Sequence, residues 1–534
     1  MLPVFAALQA DHEFTSRLSK STEAPAEPSE PLPPAPQPSE LIVASLPSQP
    51  PEREEVVIPR AGHPISRKNI AEGALWVMQR LNQSKFKAYL VGGAVRDLYL
   101  EKEPKDYDIA TDAEPGELKK LFRRNCRIIG RRFEIAHVFY RDGRVLEVST
   151  FRCSPSDTTT TSQDHLRKSP ADASEPRGNR RRGGRHGHRG IVRAKSGIIL
   201  QDNEYGSPVE DARRRDLTIN GLFYDLETFS VLDYVGGVED LKNGIVRMIS
   251  DPDLSFREDP VRMIRALRHA TRTGFRIEAA TLAAIHRNPA NILKANPSRL
   301  LEEMLKDLRG GAAAPYFTAL VETHVLDTLL PVLAKQLRDH GPDHPFWRRI
   351  RRLDTRIRDG QTPTTAVLLS ILLHTVLFDD TALWTGGRPN PPNIWKHISQ
   401  NSRSNTAAMR VSRRDTERIF QIVIAFLKLH RDLARSRLEK SIVHKTYFRE
   451  ALDFLEIDLE SQGLSNPLTE KWRQQAEDAA RQVDKERRRT HAGATREPGG
   501  NARAEDPERA ANGKTGGPRR RRRRRGPRKG PRAG

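Results

Sequence analysis

Cysteine is nearly absent from this chain: Cys126 and Cys153 are its only two in 534 residues. Two cysteines build neither a disulfide framework nor a zinc site, which fits a reducing cytoplasm. Long apolar runs are missing as well. No stretch approaches the ~18–20 apolar residues that span a bilayer, so a membrane is not an expected partner. The opening MLPVFAALQADHEF has no basic n-region and does not read as a signal peptide. Apolar residues are sparse overall, at 36% against 30% charged, so part of the chain is expected to stay disordered. No internal repeat is visible.

Positive charge is abundant. The formal net charge is +22, which points to a polyanionic partner. Most of the excess is local. Residues 519–534 hold ten Lys/Arg and no acid, including seven consecutive arginines, and residues 153–198 hold ten against four acids.

Composition divides the chain. Residues 1–57 are rich in Pro, Ser, Ala and Glu and are expected to form a disordered arm. Order is expected from Ile58. Ser66 is placed to cap a helix over 68–82, with Ile70, Leu75, Val77, Met78 and Leu81 on its apolar face. A strand, a Gly-Gly turn, a helix and a second strand follow over 87–111, then a helix over 112–124. Strands are predicted at 127–130, 133–140 and 144–151, the last two joined by an Asp142-Gly143 hairpin turn. Residues 153–198, Ser/Thr-rich and then Arg/Gly/His-rich, cannot pack a core and read as a flexible basic loop inserted in this domain. A hairpin through Phe223 and Leu232 comes next, then an amphipathic helix over 258–271 and helical patterns over 277–485. A disordered Arg-rich tail covers 486–534. The expected fold class is α+β: a head at 58–225 with a mixed sheet and helices, a segment at 226–310, and a helical body at 311–485.

The richest segment is LVGGAVRDLYLEKEPKDYD, from Leu90 to Asp108. Gly92 and Gly93 let backbone N–H groups approach an anion at a helix start. Asp106 and Asp108, two apart at the head of a strand, aim two carboxylates at one place. Mg²⁺ prefers such a pair together with substrate phosphates. One feature would hold a triphosphate and the other its metals, as nucleotidyl transfer requires. Arg96 would meet the triphosphate, or else pair with Asp97 on the surface. A third acid is expected. Glu147, mid-strand between Leu146 and Val148, is one candidate, because a carboxylate inside an apolar strand is costly unless it is used. Asp216, in RRRDLTIN, is the other, its alternative being an ion pair with the neighbouring arginines. The stretch from Asp233 to Leu241 reads as a connector that turns at Gly236 and Gly237. Asp259 and Arg262, three apart at the start of a helix, would share a face and could present an acceptor–donor edge to a base.

The order GGAVRD, DYD, RRDLTIN, DYVGGVEDL and EDPVRMIRALR resembles the class II nucleotidyltransferases, which comprise the tRNA CCA-adding enzymes and the bacterial poly(A) polymerases. The match covers about 58–308. Three stretches (58–70, 128–138 and 197–216) and the basic C-terminal tail resemble the bacterial poly(A) polymerases in particular. The resemblance implies a polymerase-β-type nucleotidyltransferase head followed by an all-helical neck and body that hold RNA, with ATP as substrate and Mg²⁺ as cofactor. It implies triphosphate contacts at Gly92, Gly93 and Arg96, metal ligands at Asp106 and Asp108, ribose contacts near Asp216 and Asn220, and base contacts at Asp259 and Arg262. The expected activity is template-independent addition of AMP to RNA 3′ ends, promoting RNA turnover, with RNA-degradation proteins as possible partners of the basic tails. CCA addition to tRNA is the alternative, and a non-catalytic RNA-binding protein is the alternative of another class. The long basic loop at 153–198 departs from the family, and His340, Asp343 and His344 lack the arrangement of an HD-type metal dyad.

Overall fold

The computed structural model describes residues 55–130, 134–153, 205–378, 410–434, 436 and 440–494, with strand segments at 192–193, 199–201, 384–385 and 388–389. Residues 1–54 of the expected arm, most of the basic loop and residues 495–534 of the expected tail lie outside the described residues. The chain divides into two units, 1–478 and 479–534.

An eight-stranded sheet organises the first unit. Its early strands are β1 (Val56–Ile58), β2 (Ala88–Val91), β3 (Asp108–Thr111), β4 (Cys126–Ile129), β5 (Ile135–Phe139) and β6 (Val145–Thr150). β7 (Val192–Arg193) and β8 (Ile199–Gln201) pair apart from it, and β9 (Leu222–Asp225) and β10 (Val231–Asp233) complete it. The spatial order is β1-β10-β9-β2-β3-β6-β5-β4. Only β3 and β6 run parallel; all other neighbours in this sheet are antiparallel. The sheet is mixed, as expected. Alternation decides its faces. Leu146 and Val148 of β6 and Ala136 and Val138 of β5 point inward and are buried. They share a core with Ala74, Val77, Met78 and Leu81 of the helix Glu72–Gln83. A smaller cluster of Val91, Ala110, Phe151, Phe223 and Tyr234 forms around other positions of the same strands.

Several expected boundaries shift. The helix foreseen over 68–82 is two pieces. Ser66 does cap, accepting the Lys68 N–H at 3.3 Å, but it caps a single 3₁₀ turn, Arg67–Asn69, and the α-helix starts at Glu72. Order is already present at β1, before Ile58, because this strand pairs with β10. That pairing also carries the sheet past residue 225, so the foreseen head boundary falls inside the β9–β10 hairpin. Beyond Pro252 the described chain is mainly helices, among them Pro252–Glu258, Val261–Thr273, Pro297–Leu308, Pro345–Arg358, Arg413–Ala434 and Phe448–Ser461. It is not purely helical: Ile245–Val246 pairs with Arg276–Ile277, and Trp384–Thr385 with Arg388–Pro389. The last helix, Pro467–Ala494, continues past the expected limit at 485. No helix of the described residues is long and apolar enough to cross a membrane. His344 has a structural task, its Nδ1 accepting the Phe346 N–H at the start of Pro345–Arg358.

Candidate active site

The site begins at the Gly-Gly turn between β2 and the helix Gly93–Tyr99. Gly92 has φ 72°, a left-handed conformation that strains any residue with a Cβ. Space is tight as well. A Cβ there would come within 3.3 Å of Arg215 Nη1 and 4.0 Å of Asp108 Oδ2. The turn is therefore wedged between a guanidinium and a carboxylate. The Gly92 N–H donates to the Leu222 carbonyl at 3.3 Å, tying the turn to β9.

Asp108 opens β3, where its Cα partners are Val91 on one side and Glu147 of β6 on the other. Residues in register on parallel neighbours share a face, so the Glu147 carboxylate accompanies that of Asp108. The surrounding protein, then Glu147 and Asp106, push the Asp108 carboxyl up to about 6, against the opposing pull of Arg215 and Arg265. Asp108 still faces solvent, so crowding by like charge matters here alongside desolvation. Glu147 is not the sequestered carboxylate that its strand suggested. Its side chain is 53% exposed and lies 3.5 Å from His137 Nε2. β6 buries only its other face.

A second cluster lies behind the turn. Arg96 donates to Asp97 Oδ1 from Nε at 2.9 Å and Nη2 at 2.7 Å, and Nη1 donates to Asn220 Oδ1 at 2.8 Å. Nη1 also sits 3.0 Å from His269 Nδ1. Arg96 has only donors, so Nδ1 accepts and the imidazole is neutral. Burial and then the Arg96 charge hold His269 well below its ordinary value, which agrees. Asp216 is buried. Its Oδ2 accepts from Arg265 Nε at 2.5 Å and its Oδ1 accepts the Leu217 N–H at 2.8 Å. Burial raises this carboxyl, but the charges of Arg265, foremost, and Arg262 outweigh it and hold it well below the usual range. The partner of Asp216 is thus Arg265, across the fold, rather than an arginine beside it in RRRD.

Asp259 and Arg262 do not pair. Asp259 terminates the helix Pro252–Glu258, and the next helix starts at Val261. The amphipathic helix expected over 258–271 is present but starts at Val261, after Asp259-Pro260, and runs to Thr273. Arg299 Nη1 donates to both Asp259 oxygens, at 2.7 and 2.8 Å. Arg262 instead donates to Ser255 Oγ at 2.6 Å and to the Arg214 carbonyl at 3.2 Å. The foreseen connector turns at Gly236 but then enters a helix, Gly237–Asn243. Asp233 accepts the N–H groups of Val235, Gly236, Gly237 and Val238, and a Cβ on Gly237 would strike the Thr218 carbonyl at 2.2 Å.

Sequence reading missed Arg215, Arg265, His269 and Arg299. A signal for two of them was present: 262, 265 and 269 recur at three- and four-residue spacing, on the side of the helix opposite Ile264 and Leu267. Among the described residues no three acids, histidines or cysteines form a ready-made metal cage. The crowded Asp106–Asp108 pair fits Mg²⁺ differently, as the carboxylate half of a site completed by substrate phosphates.

Comparison with known proteins follows this geometry. Residues 88–247 match the family model described as poly A polymerase head domain. Residues 274–337 match the model described as probable RNA and SrmB-binding site of polymerase A. Poly(A) polymerase I of Escherichia coli O157:H7 is 41% identical over 324 residues, covering 59% of this chain and 63% of that protein. The CCA-adding enzyme of Lactobacillus helveticus is 34% identical over 307 residues, 58% of this chain and 64% of that one. The chain therefore spans under two thirds of the length of the curated relatives it matches. The Bacillus stearothermophilus CCA-adding enzyme, crystallised with CTP, shares the fold with TM-score 0.51 at 23% identity, over 75% of this chain and 81% of its own. These matches relate residues 88–247 to poly A polymerase head domains and residues 274–337 to the polymerase A RNA-binding model, and the similar proteins include both poly(A) polymerases and CCA-adding enzymes.

Proposed function

We propose that this chain is a template-independent poly(A) polymerase that transfers AMP from ATP to RNA 3′ ends. The observation that carries this reading is the wedge at Gly92, which sets Asp108 and Arg215 against one backbone turn. A carboxylate cluster for a metal and a guanidinium for phosphate then face the same point. Asp106 and Asp108 would hold Mg²⁺, which supplies charge neutralisation on the phosphates and on the attacking 3′-hydroxyl. Arg215 and the Gly92–Gly93 backbone would bind the triphosphate. Arg96, fixed by Asp97, Asn220 and His269, would orient it from behind the turn. Glu147 is the better candidate for the third acid. It is in register with Asp108 and open to solvent, whereas Asp216 is already committed to Arg265. Asp216 then acts as a positioning residue, holding Arg265 and the Leu217–Asn220 turn.

The relatives contain both poly(A) polymerases and CCA-adding enzymes, so nucleotide choice is the deciding measurement. Purified protein should extend an unstructured RNA with ATP alone and make little use of CTP. Efficient CTP incorporation into tRNA lacking its CCA end would replace this reading with the second one.

Base selection is proposed to rest on Asp259 and Arg262, each held by a different anchor. Arg299→Ala frees both Asp259 oxygens, so it should weaken ATP use through KM and narrow the ATP-over-CTP preference by roughly tenfold, the scale of one lost charge-assisted contact. Unchanged preference in the folded variant would remove Asp259 from base recognition. RNA turnover and the docking of degradation proteins on the basic tails are further parts of the proposal. Deleting 518–534 should flatten the salt dependence of RNA binding by counterion release.

A further inference from the structure

The stretch IPRAGHPISRKNI is not absorbed by the reaction, yet it builds a site. With the start of the helix Glu72–Gln83, β9 and the β9–β10 turn it forms a groove of about 610 Å³, lined by Arg60, Arg67, Lys68, Tyr224 and Phe229 among others, with Glu72 as its one carboxylate among the lining residues. Three cations meet there. Arg60 donates to the His63 carbonyl at 2.9 Å, and no ion pair joins Arg60, Arg67 or Lys68 to an acid among the described residues. Arg67 and Lys68 are exposed.

Two features of the wall point to a ligand. Tyr224 is fully buried, and its hydroxyl has no hydrogen-bond partner among the described residues, an uncompensated donor that native folds seldom leave. Phe229 holds φ 55°, a costly conformation for an aromatic residue, while 39% of it faces solvent. Buried His63 fixes it there, with Nε2 3.0 Å from the Phe229 carbonyl. Backbone strain of this kind persists where the surroundings over-determine it, and it often accompanies a binding role. A basic rim with a rigid aromatic face is the design that takes single-stranded nucleic acid.

The groove is separate from the carboxylates. In the β2–β9 ladder Val91 pairs with Phe223 at the Asp108 end, while Tyr89 pairs with Asp225 at the other, and Phe229 lies in the turn beyond Asp225. We propose that this groove is a second nucleotide-binding site, taking the phosphate of a nucleotide unit on Arg67, Lys68 and Arg60 with its base against Phe229. That unit belongs either to an RNA strand or to a free nucleotide, and the two share the chemistry described.

Photolabelling the full chain tests this without reference to turnover. The probes are 8-azido-AMP and a ~20-nucleotide oligoadenylate carrying 8-azidoadenosine, with labelled peptides mapped after irradiation. Label is expected in peptides spanning 60–68 or 224–229. Label from the oligonucleotide only assigns the site to an RNA strand, and label from both probes assigns it to free nucleotide as well. Arg67→Glu combined with Lys68→Glu should cut this label at least fivefold. Both side chains are exposed, so folding is preserved, and Phe229→Ala provides a second variant with the same expectation. Asp108→Asn should retain the groove label while losing AMP addition, which separates this site from the reaction. Absence of label in these peptides with both probes, or label that persists undiminished in the charge-reversed variant, overturns the proposal.

Discussion

Asp108→Asn is expected to reduce AMP addition by ~10³-fold or more, the scale on which removing a preorganised charge from a phosphoryl-transfer site acts. The fold should survive, because Asp108 sits at the solvent-facing start of β3 and its side chain makes no hydrogen bond among the described residues. Its backbone pairing with Val91 and Glu147 is untouched by the change. Glu147→Gln should lower turnover strongly too, and more than Asp216→Asn lowers it at matched stability. Near-normal turnover in folded Asp108→Asn would end the site assignment.

Stability and metal binding should move in opposite senses at this residue. Asp108 is raised to about 6 in the folded chain, against an ordinary carboxylate value near 4. A carboxyl raised on folding opposes the folded state above its unfolded value, and the opposition is fully developed above about pH 6. Without metal, Asp108→Asn should therefore melt higher than the parent at pH 8, and the gap should close as the pH falls to about 4. Added Mg²⁺ should raise the melting temperature of the parent at pH 8 and leave the variant little changed. Lowering the pH through 6 should weaken Mg²⁺ binding, because protons compete for the carboxylates. A pH-independent gap, or an equal Mg²⁺ response, would show that Asp108 does not bind the metal.

The largest stability loss is expected from Arg265→Ala. It strips the partner from Asp216, whose side chain is only 10% exposed, and breaking a buried pair from one side costs about 3 kcal/mol or more. Arg265→Ala with Asp216→Asn should recover most of that loss, since no unpaired charge remains. The pH dependence has a definite sign. Asp216 is held low, so the pair stabilises above the ordinary carboxylate range and its contribution is lost as the pH falls through the folded value. The Arg265→Ala penalty should then be constant from pH 7 to 5.5 and shrink toward pH 4, where the orphaned Asp216 takes up a proton. Urea unfolding of the three proteins at pH 7 and pH 4.5 reads both effects. A single variant as stable as the parent would mean that the pair is not energetically coupled to the fold.

Local signals carried far in this chain. Gly92-Gly93 announced a turn, and the structure places one there with φ 72° at Gly92. Asp142-Gly143 announced a hairpin, and β5 and β6 are joined there. Alternation in LEVSTF announced which residues of β6 face the core. Such signals depend on backbone sterics and a two-residue period, which a single segment contains entire. The mixed sheet and helices of the fold class were legible for that reason. Pairings between distant segments were not. Spacing suggested Asp259 with Arg262, but Asp259 meets Arg299; proximity suggested that Asp216 pairs with its own arginines, but it meets Arg265. Glu147 looked like a buried charge and is half open. A long arginine side chain can reach many carboxylates, and its choice depends on which helices the core brings together. The sequence by itself determined the turn and the strand faces. Only the tertiary structure decided which cation answers each acid, because packing of the helix Val261–Thr273 against Pro252–Glu258 and Pro297–Leu308 sets those distances.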